Sequence, residues 1–405
     1  MKIKDIGNVV TGKTPQTAHA EFYGGDYMFI TPTELHGGYK ISSSEKTLTE
    51  AGLESIKTNS IDGISVLVGC IGWDMGNVAM CFEKCATNQQ INSITQISED
   101  YSSYFLYYWL STKKEYLFSI SSVTRTPILS KGVFEEIEIP SISRSEQDKI
   151  AKVLSVLDKK IKLNSEVNDN LQQQLRLLYD YWFTQFDFPD ENGKPYRSSG
   201  GQMVWNDDLK RHIPKAWGCD NLYRIADYIN GLACQKYRPV NGEKALPVIK
   251  IKEMHDGITA DTELVSANIP SKNIVQSGDI LFSWSASLEI AFWFGRTAGL
   301  NQHIFKVIPK APFSCEYVYL QLSEYIVQFV RIAESRKTTM GHITSDHLNE
   351  SRIVVPSSAV IQKFSTIVRP IFEELKVCHA EMEHLQSLRD WLLPMLMNGQ
   401  ATISD

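Results

Sequence analysis

The order of short motifs in the first half of the chain returns in the second half, and this duplication restricts the possible folds more than any other feature. "YMFITPTELHGG" from residue 27 is answered by "LPVIKIKEMHDG" from 246. "DGISVLVGCIGWDMGNVAMCF" from 62 is answered by "SGDILFSWSASLEIAFWFG" from 277. "NQQ" at 88–90 returns as "NQH" at 301–303, and "SSVTRTPILSKGVFEEIEIPS" from 121 as "ESRKTTMGHITSDHLNESRIVVPS" from 334. The offsets are all about 215 residues, so the match is collinear and describes two copies of one domain. Glycine turns that lead into apolar, β-branched runs mark both copies as strand-rich.

Each copy ends in a long helical segment. From Ser143 to Gln185 there is no proline or glycine. Ile150, Leu154, Leu157, Ile161, Asn164, Asn168, Leu171, Leu175, Leu178 and Trp182 follow an alternating four-three spacing, a coiled-coil seam with a polar step at the two asparagines. Ser143 or Ser145 can cap its start, because a hydroxyl accepts from the first free amides. In the second copy the same spacing runs through Phe364, Val368, Ile371, Leu375, Cys378, Met382, Leu385, Arg389, Leu392 and Leu396. Pro370 interrupts it, so that helix is expected either to kink there or to begin there. A helix of about 40 residues reaches roughly 60 Å and cannot bury such a stripe alone. Ordinary core packing could also explain the stripes. Two long heptad runs that close two collinear repeats favour a mutual pair, antiparallel because the chain must return. Residues 186–216, rich in glycine, proline and polar side chains, read as a linker. The expected fold class is therefore α/β (α+β), with two strand-rich domains and two long helices. The expected boundaries are 1–141, 142–185, 186–216, 217–356 and 357–400.

With 405 residues the chain can build two or three cores, and 43% hydrophobic with 22% charged residues is ordinary globular composition. A net charge of -6 excludes binding of nucleic acid by bulk charge but permits local basic patches. "MKIKDIGNVV" lacks the apolar core of a secretory signal, and "ILFSWSASLEIAFWFG" carries Glu289 and serines, as paired strands do and a membrane span does not. Seven scattered cysteines suit reduced thiols in a cytoplasm. Cys81 and Cys85 are the one close pair; without a second pair or a histidine at ligand spacing they read as buried strand cysteines, and no metal site is expected.

Two segments imitate catalytic motifs. "GNVVTGKT" at 7–14 satisfies G-x-x-x-x-G-K-[ST], in which Lys13 would neutralise phosphates and Thr14 would hold magnesium. Its context disagrees. Only six residues precede Gly7, Val9 and Val10 suit a strand, and Pro15 biases Thr14 away from the helix a P-loop requires. Pro189-Asp190 with Asp208-Leu209-Lys210 fits a loose PD…D-x-K nuclease pattern, but in turn-rich sequence where solvated charge is the ordinary explanation. No N-P-P-[YF] or D-P-P-[YF] segment is present, so no methyl transfer and no catalytic residue are expected.

The helix entry "IPSISRSEQDKIAKVLSVLDKKIKLN" and the connector "FDFPDENGKPYRSSGG…NDDLKRHIPKAWG" resemble those of the specificity subunits of type I restriction–modification systems. "TGKTP", "NQQ" and "SVTRTPILS" resemble landmarks of the first target-recognition domain of that family, and the likeness covers essentially the whole chain. One departure is the direct opening at "MKIKDIGNVV", without the "IP…W" that precedes the second copy, which implies a different edge for the first domain. The resemblance implies two target-recognition domains held apart by an antiparallel coiled coil. Each would read one half of a bipartite double-stranded DNA target, in the cytoplasm and away from any membrane. It implies a non-catalytic chain that docks two modification (methyltransferase) subunits and restriction (motor-nuclease) subunits. S-adenosylmethionine, ATP and Mg2+ would then lie on those partners and none on this chain. A specificity partner of a fused restriction–methylation enzyme, a P-loop NTPase built on residues 7–14 and a two-headed adaptor for a non-DNA ligand are the alternatives.

Readout residues should be polar or basic, lie on loops and recur in both copies. In the first copy the candidates are Thr11, Lys13, Thr14, Trp73, Asn88, Gln89, Gln90, Arg125 and Thr126. In the second they are Gln235, Lys236, Arg238, Ser285, Ser287, Asn301, Gln302, His303, Arg336, Lys337 and Thr338. The lysines suit phosphates. Asn88–Gln90 and Asn301–His303 equally suit turns that bond to backbone, and Trp73 and Trp284 equally suit a core. Tyr181–Trp182 and Trp391–Leu392 suit either partner docking or closure of the helix ends.

Overall fold

A computed structural model of the protein describes residues 1–36, 38–123, 125–259, 261–285, 287–335 and 343–403. The chain divides into two units, one of residues 1–162 with 384–405 and one of residues 163–383.

The first unit carries strands β1 (Asn8–Thr11), β2 (Tyr23–Ile30), β3 (Lys46–Leu48), β4 (Ser60–Ile61), β5 (Ser65–Gly69), β6 (Val78–Cys81), β7 (Cys85–Thr87) and β8 (Ile91–Thr95). They form two four-stranded sheets in the orders β1-β8-β5-β6 and β3-β2-β7-β4. Val66, Leu67 and Val68 of β5 are all fully buried because the strand lies between two cores. Val66 and Val68 pack with Phe105, Leu106 and Trp109 of the helix Ser103–Ser111, while Leu67 packs with Ile30 and Ile61 of the other sheet. A strand buried on both faces reads as a continuous apolar run rather than an alternating one.

The second unit repeats this order strand for strand: β9 (Ala226–Asn230), β10 (Ala245–Ile249), β11 (Leu264–Ser266), β12 (Ile274–Val275), β13 (Ile280–Ser283), β14 (Glu289–Phe292), β15 (Ala298–Leu300) and β16 (Ile304–Pro309). Its sheets are β9-β16-β13-β14 and β11-β10-β15-β12. The parallel pairing of β2 with β7 returns as that of β10 with β15. The apolar run from 280 is the antiparallel pair β13–β14, and among the described residues no helix is long and apolar enough to cross a membrane. The two domain edges differ. Gly218–Asp220 forms a ladder with Ile353–Val355, whereas at the chain start there is a single bridge, Lys2 with Glu138, flanked by the bonds Ile3 N–H to Ile137 O (3.1 Å) and Ile139 N–H to Met1 O (2.9 Å).

The central helix runs Arg144–Tyr179 and continues as a π turn over Asp180–Thr184. Ser143 is its cap, its hydroxyl accepting from the Glu146 amide at 3.2 Å. The C-terminal helix runs Ser358–Met397. Of the two expectations for Pro370, a start there is excluded: the helix begins twelve residues earlier and contains Pro370 in its interior. Burial of Phe364, Val368, Phe372 and Leu375 in one core outweighs the roughly 3 kcal/mol that an internal proline costs.

Within each unit the two helices are antiparallel. In the second, Asn164 Nδ2 donates to Glu381 Oε2 at 2.8 Å, and the Tyr179 ring lies 6.4 Å from that of Phe364. In the first, Asp158 pairs with Arg389 at 2.9 Å while Ile150 shares a core with Leu396. Ile150, Leu154, Leu175 and Leu375 are buried, and Leu157, Ile161, Leu171, Leu178, Ile371, Met382, Leu385 and Leu392 are half-buried, as a seam requires. The segment expected as a linker is folded. Met203–Asn206 and Arg211–Pro214 form a hairpin, Phe186, Phe188 and Ile213 are buried, and the Arg211 guanidinium sits 4.6 Å from the Phe186 ring centre. Glycine and proline favour turns there, but aromatic anchors decide the outcome.

Candidate nucleic-acid interface

The stretch "GNVVTGKT" does not form a phosphate loop. Asn8–Thr11 is an edge strand antiparallel to β8, and the next described regular element is the short 3-10 turn Ala20–Phe22. No helix N-terminus therefore faces the loop, which a P-loop needs to hold phosphates. Gly12 serves a different purpose: a Cβ there would lie 2.2 Å from the Asn88 carbonyl oxygen and 2.2 Å from Thr87 Oγ1. Glycine allows the loop to press against the turn at 88–90, and the Gly12 amide then donates to Ile91 O at 3.0 Å.

This contact is one of a set that recurs in the second unit. A Cβ on Gly231 would meet the Asn301 carbonyl oxygen at 2.1 Å, and its amide donates to Ile304 O at 3.0 Å. The Thr11 carbonyl accepts from Asn59 Nδ2 at 2.9 Å, and the Asn230 carbonyl from Asn273 Nδ2 at 2.8 Å. Asn88 Oδ1 accepts the Gln90 amide at 3.0 Å, and Asn301 Oδ1 the His303 amide at 3.2 Å. The first residue of each triplet therefore uses its side-chain oxygen to fix the turn, and Asn301 is only 8% exposed. Gln89, Gln90, Gln302 and His303 are the members left at the surface.

Backbone bonds gather the remaining loops around these turns. In the first unit the Cys70 amide donates to Gln90 O at 2.7 Å, the Leu129 amide to Cys70 O at 2.8 Å and the Gly72 amide to Pro127 O at 2.9 Å. The Thr11–Thr14 loop, the 88–90 turn, the Trp73 loop and the segment bearing Arg125 and Thr126 therefore share one rim. Thr14 Oγ1 donates to Gln89 Oε1 at 2.9 Å, and Thr11 Oγ1 to Asn92 Oδ1 at 2.7 Å. Lys13, Arg125 and Thr126 are exposed. In the second unit the Trp284 amide donates to His303 O at 3.2 Å and the Ile343 amide to Trp284 O at 2.9 Å. Ser285 Oγ lies 3.1 Å from His303 Nδ1, and Ser287 is exposed. Gln235 and Lys236 are exposed on a 3-10 turn, while Arg238 follows Tyr237, whose carbonyl accepts from the Ser266 amide at 2.8 Å on the other sheet. Arg336, Lys337 and Thr338 lie outside the described residues.

The two tryptophans differ. Trp284 is half-buried, its indole N–H 3.2 Å from Asn230 Oδ1, whereas Trp73 is 71% exposed. Beside Trp73, Lys114 and His36 contact Asp74 at 2.7 and 3.0 Å, and the Lys114 hydrogen bond holds the Asp74 carboxyl below its ordinary range. Cys81 and Cys85 are buried with their sulfurs 3.3 Å apart; that shared contact lowers the Cys81 thiol and raises that of Cys85. Among the described residues no group of three or more metal-binding side chains converges. Asn59 and Asn273, which hold the rim carbonyls, were not among the sequence candidates. They recur in matching places, but the surrounding polar sequence hides them.

A family profile described as the type I restriction modification DNA specificity domain matches residues 1–173 and 214–376. The type I restriction enzyme MjaIX specificity subunit of Methanocaldococcus jannaschii is 28% identical over all of this chain and 93% of its own length. The HindI specificity subunit of Haemophilus influenzae is 25% identical over 66% of this chain and 72% of its own length. The crystal structure of the type I restriction–modification S subunit from M. genitalium is similar in fold, with a TM-score of 0.58 at 17% identity over 98% of this chain and 95% of that one.

Proposed function

This chain belongs to the type I restriction modification DNA specificity family, and from that premise we propose that each unit reads one half of a bipartite duplex through the rim just described. The chain acts by binding and scaffolding, without catalysis. The observation that carries the reading is the repetition of one set of rim bonds, around Gly12 and Gly231, Asn88 and Asn301, and Cys70 and Trp284, in two units whose side chains at matching surface positions differ, as Gln90 against His303. A shared frame with different side chains is what two readers of two different half-sites require. Arg125 and the exposed glutamines are suited to base edges, Lys13 and Lys236 to phosphates.

The helix pair fixes the unread spacer, and joining two readers makes the second contact intramolecular. Leu177 and Trp391, 63% and 60% exposed, each precede an equivalent seam leucine, Leu178 and Leu392. Large apolar side chains left exposed at matching places mark docking surfaces for two copies of one partner. Those partners are two modification subunits, with restriction subunits completing the complex. S-adenosylmethionine, ATP and Mg2+ belong to them, and the work is done on DNA in the cytoplasm.

The test is selection of duplexes from a pool carrying two randomised blocks with a variable spacer, repeated at increasing salt. Two separated sequence blocks at one spacer length, lost when the spacer changes by one base pair, are expected. Inserting one heptad into each helix adds about 10 Å, so the preferred spacer should grow by about three base pairs with the same bases read. Enrichment of no sequence, or a change in the bases read after insertion, would overturn the reading.

A further inference from the structure

The connection from β5 to β6 that carries Trp73 spans residues 70–77, whereas that from β13 to β14 spans 284–288. Three residues beyond the matching bonds of Cys70 and Trp284, the first unit places Trp73 and the second Ser287. The Trp73 loop is tightly held. Gly72 and Gly76 take φ of +107° and +93°, the Gly76 amide donates to Gly69 O at 2.8 Å and the Met75 amide to Gly72 O at 3.2 Å. A Cβ on Gly76 would meet Lys114 Cγ at 2.9 Å, so the loop sits directly against the helix Lys114–Ser119. Phe118 of that helix stands 6.1 Å behind the Trp73 ring. A large indole carried on a backbone held this tightly, and still in water, is a contact surface that requires little further ordering of the loop on binding.

Its surroundings select the occupant. The bond from the Gly72 amide to Pro127 O seats the loop beside the exposed Arg125 and Thr126. The adjacent carboxylate of Asp74 is paired with the Lys114 ammonium at 2.7 Å, which offsets its charge towards a polyanion. On the base edges in the major groove the single apolar group is the thymine 5-methyl. We infer that Trp73 is a specificity-determining residue of one half-site, packing its indole against a thymine methyl. This rests on the function proposed above. Three residues beyond Trp284 the second unit carries the exposed Ser287, so this contact is expected in one half-site.

The experiment uses the full chain and its Trp73→Ala, Trp73→Phe and Ser287→Ala variants, with the randomised duplex pool followed by titration of the selected duplex. Melting temperatures confirm folding. Trp73→Ala should lose preference for thymine at one or two adjacent positions of one block, about tenfold, while the other block is unchanged. Trp73→Phe should retain part of it, and Ser287→Ala should leave that position untouched. Replacing the thymine by deoxyuridine should weaken the wild type by the same factor and leave Trp73→Ala unaffected. Equal binding of thymine and deoxyuridine by the wild type overturns methyl recognition, as does a Trp73→Ala loss spread evenly over all sequences. If the wild type selects no sequence, the proposed function itself fails; if both blocks are read and Trp73→Ala reads them identically, only this inference fails.

Discussion

Replacing Gly12 by alanine should damage one reader and spare the other. The new methyl group would stand 2.2 Å from the Asn88 carbonyl oxygen, 2.2 Å from Thr87 Oγ1 and 2.4 Å from the Thr87 carbonyl oxygen. An ordinary carbon–oxygen approach is about 3.3 Å, so loop and turn must separate by about 1 Å. Two of the three obstructing atoms are backbone and cannot rotate aside. The cost therefore belongs at the upper end of overpacking, about 3 kcal/mol. In a unit of this size that lowers the melting temperature by roughly 6–12 °C. The same displacement moves Gln89 and Gln90 relative to Thr14 and Cys70, so selectivity should fall at one block of the target only. Gly132→Ala is the control: nothing lies within 4 Å of its Cβ, and it should melt within about 1 kcal/mol of the wild type. Scanning calorimetry and the duplex selection provide the readouts, with Gly231→Ala as the mirror experiment on the other block. Wild-type melting and wild-type selectivity in Gly12→Ala would refute the close-packing argument. Nucleotide binding abolished by Lys13→Ala would restore the phosphate-loop alternative.

Further perturbations test the frame. Arg389→Leu removes the guanidinium partner of the Asp158 carboxylate, which is 7% exposed and also accepts from the Tyr108 hydroxyl, and should cost about 3 kcal/mol. The double variant Asp158→Leu/Arg389→Leu should recover most of that loss by calorimetry, and a single-variant cost under about 1 kcal/mol would mean the pair behaves as a surface contact. Glu136 is held down to about 2 by hydrogen bonds from Lys2 and Lys4. A depressed carboxyl contributes anchoring that is complete above its ordinary value of 4.5 and is lost as pH falls towards 2. Protection of the Ile3 amide, bonded to Ile137 O, should follow that profile in hydrogen exchange, and a Glu136→Gln variant should show none of it.

The duplication, the strand-rich halves and the heptad stripes were readable in the sequence because each depends on periodicity or order along the chain. Leu154, Leu175 and Leu375 of those stripes are buried. Pro370 lies inside the C-terminal helix, against its local preference, because the burial of Phe364 and Val368 acts across the fold and outweighs it. The connector was read from its glycines and prolines, while Phe186, Phe188 and Trp217 tie it down through rings from separate stretches: Phe188 stacks on Trp217 at 4.9 Å.

The sequence alone determined that this protein has two like heads and two long helices, since repeats and heptads are written residue by residue. Only the tertiary structure decided what the rim is. Gly12 is needed because Asn88 passes beside it, Asn88 turns inward while Gln89 faces out, and Trp73 is exposed while Trp284 is half-buried. Those outcomes depend on close approaches between segments far apart in the chain, and no spacing within a single segment encodes such an approach.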